Sequence, residues 1–172
     1  MTLARSKALV VGLVSAVAIT FYANTAWSIA GVDFPSHSVA EAQAAIDSGD
    51  FETAVTMLEE ILRFEPENPE VSNLLGYSKR NLGELDVAME YYNKALSFDP
   101  NHMGTLEYQG ELYLMLKDQA SAVKNLDKLK ELCPTGCVAY DVLQAAIERS
   151  KDGGEFTWSK KTMSTQAAAS GE

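Results

Sequence analysis

Residues 75–101 read LGYSKRNLGELDVAMEYYNKALSFDPN, and this stretch decides the fold. Two apolar-periodic segments flank Gly83, with Leu75, Leu82, Tyr92 and Leu96 at the spacing of a buried helical stripe. Asp99-Pro100-Asn101 closes the second segment, because proline lacks the N–H that would carry a helix onward. The spacing predicts a helix over about Glu70–Asn81 and a second over Leu85–Phe98, turning at Gly83.

The pattern repeats on both sides. Pro66, Pro100 and Pro134 stand 34 residues apart, and so do Ala54, Ala88 and Ala122. Gly49 and Gly83 keep the same step, as do Gly76 and Gly110. Upstream, the period predicts helices over Val39–Asp47 and Phe51–Phe64, with Pro35 and Ser36 opening the first and Ser36 as its N-cap. Downstream it predicts Met103–Leu116 and Gln119–Leu132, turning at Lys117-Asp118, then a last amphipathic helix over Val138–Arg149. Leu58, Leu62, Tyr113, Leu126 and Leu129 extend the apolar stripe. A period of this length with small residues and proline at fixed points marks stacked helix pairs.

The flanks have other compositions. Arg5 and Lys7 precede an uncharged apolar run, Ala8–Tyr22, and Ser28-Ile29-Ala30 places small residues before Gly31. This reads as a secretory signal over 1–30, cut after Ala30. An uncleaved N-terminal anchor is the alternative, although the run is short for a membrane span. The expected location is therefore periplasmic or otherwise exported. The segment 151–172 is rich in Gly, Ser, Thr and Ala without periodicity and reads as a disordered tail. Phe156 and Trp158 are its exceptions, expected to pack back onto the last helix, with a small docking point as the alternative.

The formal charge is −10, and the leader carries none of the acids. So acidic a surface repels nucleic acid and anionic lipid heads. Cys133 and Cys137 are the only two cysteines, and an even number in an exported chain favours a disulfide. Bridging them would staple the last helix to the array. Their spacing fits neither the two-residue interval of redox pairs nor haem attachment, since Val138 follows. A metal- or thiol-handling role for the pair is the alternative function. His37 and His102 belong to no metal-spaced cluster and read as solvated loop residues. No nucleophile elbow, metalloprotease helix, P-loop or dinucleotide fingerprint occurs, so no enzyme, cofactor or small-molecule substrate is expected.

Over residues 35–150 the chain resembles the tetratricopeptide repeat family. The second unit carries the resemblance best, at Leu75-Gly76, Leu82-Gly83, Ala88, Tyr91-Tyr92, Ala95-Leu96 and Asp99-Pro100-Asn101. Lys79 stands where the family usually keeps an aromatic, and Lys117 where it usually keeps glycine. The resemblance implies an all-α solenoid of three helix pairs, at about 35–68, 69–102 and 103–136, with a capping helix at 137–150. It also implies that Ala42, Gly76 and Gly110 cross Ala54, Ala88 and Ala122 within their pairs.

The family binds protein segments along the first helices of its pairs. Carried over by position, that groove comprises Asn73, Tyr77, Arg80 and Asn81, then Glu107, Glu111, Leu114 and Met115, with Asp141 and Glu148 from the last helix. Its acids point to a partner segment with basic and apolar side chains. The simpler reading makes Glu107 and Glu111 a solvated i, i+4 face. The basic clamp with which chaperone adaptors hold acidic C-terminal peptides is not matched, since Arg80 stands alone. The expected function is a non-enzymatic scaffold or assembly factor of the cell envelope, binding a protein or peptide. Self-association through exposed repeat faces is a further reading. In the fold so inferred, Gly76→Leu overpacks a helix crossing and lowers unfolding free energy by roughly 1–3 kcal/mol in urea titrations.

Overall fold

A computed structural model describes residues 34–151. The expected leader and the tail beyond Lys151, with Phe156 and Trp158, lie outside the described residues. Among these there are seven helices and no strand: α1 Val39–Ser48, α2 Phe51–Phe64, α3 Pro69–Asn81, α4 Leu85–Phe98, α5 Met103–Met115, α6 Gln119–Leu132 and α7 Val138–Lys151. They form an all-α solenoid of three antiparallel helix pairs followed by α7. No described helix is long and apolar enough to cross a membrane.

The helix ends follow local chemistry. Glu65, Asp99 and Cys133 cap α2, α4 and α6 at φ −124°, −130° and −132°. Each precedes a proline, whose ring disfavours the helical conformation in its neighbour. Gly49 and Gly83 turn the first two pairs at φ 83° each, and Lys117 takes the equivalent left-handed position at φ 63°. Lysine there accepts a strain that glycine avoids.

At the first helix the cap differs from expectation. Ser38 is the N-cap of α1, accepting from the Glu41 N–H while Glu41 Oε2 accepts from the Ser38 N–H at 2.7 Å. This reciprocal box satisfies two otherwise orphaned donors, which Ser36 is too far upstream to do. Ser36 instead donates its N–H and hydroxyl to Glu60 Oε1, at 2.6 and 2.8 Å, tying the lead-in to α2.

Helix crossings rest on small residues, with one correction. Ala42, Ala54, Ala88 and Ala122 are completely buried. A Cβ on Gly76 would sit 2.6 Å from the Tyr92 ring of α4, the partner helix in its own pair. A Cβ on Gly110 would instead sit 2.6 Å from Leu143, which belongs to α7. Gly110 thus makes room for the next element of the stack rather than for α6.

Two apolar clusters fill the array. The first gathers Leu58, Ile61, Leu75, Tyr92 and Leu112 from α2 to α5. The second gathers Leu106, Leu129, Leu143 and Ile147 from α5 to α7. A polar chain crosses the middle: Gln109 Nε2 donates to Asn93 Oδ1 at 2.8 Å, and Asn125 Nδ2 donates to Gln109 Oε1 at 3.0 Å. It links α4, α5 and α6 at the joint between the second and third pairs.

Asp50 and Asp118 cap α2 and α6 through their carboxylates, whereas Glu84, at the equivalent place before α4, makes no side-chain cap. Its extra methylene carries the carboxylate to Lys79 Nζ, 2.9 Å away. An exposed ion pair is worth less than a cap. Glu84→Asp should therefore raise unfolding free energy by about 0.5–1 kcal/mol, read as a higher urea midpoint at constant slope.

Candidate functional site

The side chains expected in the groove come from α3 and α5. Asn73, Tyr77 and Arg80 on α3 and Glu107, Glu111 and Leu114 on α5 are all buried, while Asn81 and Met115 are half-buried. Asp141 and Glu148 on α7 are exposed. Burial of Glu107 and Glu111, at 1% and 3% exposure, overturns the solvated-face reading.

Arg80 organises the site. Its Nη1 donates to the Tyr108 carbonyl at 2.9 Å and to Glu111 Oε2 at 3.1 Å. Its guanidinium lies over two rings, 5.4 Å from the Tyr77 centroid and 5.5 Å from that of Tyr108. The planar cation gains from both aromatic faces once water is gone. The pair bridges α3 and α5, and so joins the second repeat to the third.

The rings continue as a track. Tyr77 and Tyr108 pack at 5.1 Å between centroids, and Phe51 of α2 packs on Tyr77 at 6.1 Å, both tilted. Tyr108 and Phe51 were not singled out from sequence. Tyr108 directly follows Glu107, so a position-by-position transfer assigns it to another face. Asn81 Nδ2 turns back to the Tyr77 carbonyl at 2.9 Å. Leu114 belongs to the second apolar cluster and Met115 packs on the first. Asn73 Oδ1 is buried without a hydrogen-bond partner among the described residues.

His102 is no solvated loop residue. It caps α5, its Nδ1 accepting from the Thr105 N–H at 3.1 Å, while Nε2 lies 3.0 Å from Glu70 Oε2. His37 is half-buried, with Nε2 3.8 Å from Glu60 Oε2. Cys133 and Cys137 are bonded to each other, their Cα atoms 5.9 Å apart. Among the described residues no cluster of three or more His, Cys, Asp or Glu side chains offers a metal site.

These features define a helical-repeat interaction module. Two tetratricopeptide repeat models match residues 39–103 and 105–136. The chain belongs to the tetratricopeptide repeat family, whose arrays are generally non-enzymatic modules for binding proteins. No curated protein sequence matches it. Among solved structures it is similar to the TPR2B domain of yeast Sti1 in complex with pHsp70, with TM-score 0.59 and 20% identity over 67% of this chain and 94% of that one. A tetratricopeptide repeat protein from Parabacteroides merdae ATCC 43184 gives TM-score 0.58 and 22% identity, over 67% of this chain and 44% of that one. The MamA RS-1 ArsTM double mutant gives 0.55 and 26%, over 66% and 63%. The chain thus spans less than two thirds of the latter two, and the first two likenesses show the fold alone.

Burial holds the Glu111 carboxyl above its ordinary range, against the pull of Arg80 and Arg149. Its contribution to stability is fully present below the ordinary carboxylate value and is lost as pH rises through the raised one. Breaking the pair from one side strands a buried charge. Arg80→Met or Glu111→Leu alone should cost about 3–5 kcal/mol, and the double variant should recover most of that loss. Urea titrations across pH check this, since the double variant also loses the Glu111 part of the pH slope.

Proposed function

We propose that this chain is an exported scaffold or assembly factor that holds an extended or helical segment of another protein along α3 and α5. The observation that carries the reading is the unsatisfied Asn73 Oδ1. A buried acceptor without a donor costs about 1–3 kcal/mol, and an arriving backbone N–H repays that cost. The aromatic track beside it suits apolar or aromatic side chains. Arg80 is already answered by Glu111, so an acidic C-terminal peptide is a poor match. Export rests on the leader, and the acidic charge fits a protein that meets neither nucleic acid nor anionic membrane.

The reading separates binding from stability. Asn73→Leu should leave the chain as stable as the parent or more so, yet weaken partner capture from its native host about tenfold or more. A benzophenone amino acid at Met115 should give partner adducts, while one at exposed Lys124 on α6 should not. Adducts from Lys124 alone would place binding on the outer face. Mass spectrometry of the captured bait should show a mature chain starting at Gly31.

A further inference from the structure

The start of α5 is capped by a side chain that can change its charge. His102 Nδ1 accepts from the Thr105 N–H at 3.1 Å and lies 2.8 Å from the Thr105 hydroxyl. A backbone N–H only donates, so Nδ1 is bare and the proton of the neutral ring sits on Nε2. Nε2 lies 3.0 Å from Glu70 Oε2 on α3 and donates to it. The neutral ring thus satisfies both of its neighbours. One period upstream Asn68 caps α3 in the same way, accepting from the Val71 N–H at 3.1 Å, with an amide that does not titrate.

We propose that His102 is a pH-operated latch on the first turn of α5, closed by the neutral ring and opened by its protonation. A second proton can only go to Nδ1, where it points at the Thr105 N–H and ends the cap. It also places a positive charge at the positive end of the α5 dipole. The Glu70 carboxylate opposes this, since it favours a charged ring. Glu70 is 48% exposed, however, and an exposed ion pair is worth less than a cap. The other acid at the joint is Asp99, at the end of α4. Its carbonyl accepts from the His102 N–H, and its carboxylate turns to the Asn101 N–H at 2.9 Å. On α5 itself the first charged residue is Glu107, more than a turn onward and buried. The balance therefore favours release as pH falls.

The latch bears on the inner face. Gly104 lies in the turn it holds, and a Cβ there would meet Asn73 Nδ2 at 3.6 Å. Thr105 and Leu106 follow, both buried, with Leu106 in the second apolar cluster. Opening the turn therefore loosens one wall of the Asn73 surroundings. The rest of α5 stays in place, because Arg80 holds Glu111 about two turns farther along. Such opening is local, and helix ends open at far lower cost than cores. The His102 side chain is 18% exposed, so solvent protons reach it. What the latch does to a partner held beside Asn73 rests on the groove reading above, whereas the latch itself does not.

The test follows the isotope-labelled full chain by NMR from about pH 8 to about pH 5, the range over which histidine changes charge. At the upper end, long-range spectra should show the His102 ring protonated on Nε2 and bare on Nδ1. As pH falls, hydrogen-exchange protection of the Thr105 and Leu106 amides, corrected for intrinsic exchange, should drop about fivefold or more. Val71 and Ser72, at the same places in α3, should keep theirs within about twofold. In H102N, whose cap does not titrate, α5 should behave as α3 does. A ring protonated on Nδ1 at the upper end would overturn the proposal. So would a flat profile in the parent, or an equal fall in H102N. None of these readouts involves a partner, so the latch can fail while capture through Asn73 stands, and the reverse.

Discussion

The array depends on how closely one helix backbone approaches the next. At Gly76 the Tyr92 ring fills the space that a Cβ would take, and at Gly110 Leu143 does the same. No helix pair of this size buries enough apolar surface alone, so stability comes from stacking one pair on another. Glycine at these two points lets large side chains reach the backbone, and each large side chain is completely buried. The first contact closes a repeat internally. The second joins a repeat to the capping helix, so the same residue type at the same period does two different jobs.

That stacking creates the inner face, and there the chemistry changes. A core made for stability alone would place apolar residues where Arg80 and Glu111 meet. A buried ion pair recovers its desolvation only with good geometry and added hydrogen bonds, and an apolar pair of similar volume often does as well. Arg80 does find those additions, in the Tyr108 carbonyl and two aromatic faces. The arrangement fixes the register of α3 against α5, because a guanidinium held from three sides cannot slide by a turn.

Much of this was legible in the chain, for identifiable reasons. The ends of α2, α4 and α6 are set by the prolines that follow them and the turns after α1 and α3 by glycines, and both effects are local. Two misreadings were recoverable. Ser38 precedes Glu41 by three residues, the capping-box interval, and His102 follows Asn68, another N-cap, by one full period. Other features were not recoverable from periodicity. Arg80 meets Glu111 across a separation of 31 residues and Gly110 meets Leu143 across 33, neither being the repeat length. Periodicity relates equivalent positions, whereas contacts between repeats join inequivalent ones. For the same reason Tyr108 was passed over: neighbouring residues point about 100° apart on an isolated helix, but in a stack both directions are interior.

The polar interior and the acidic exterior then have one explanation. Most helical repeat surfaces tolerate substitution, because an exposed charge costs little. A buried carboxylate is different, since the side chain must be answered by a cation or give up its charge. Glu111 is answered within the array by Arg80. Glu107, one turn earlier on the same helix, is buried as well. On this argument the Arg80–Glu111 pair belongs to the fold, since it joins α3 to α5 and the second repeat to the third.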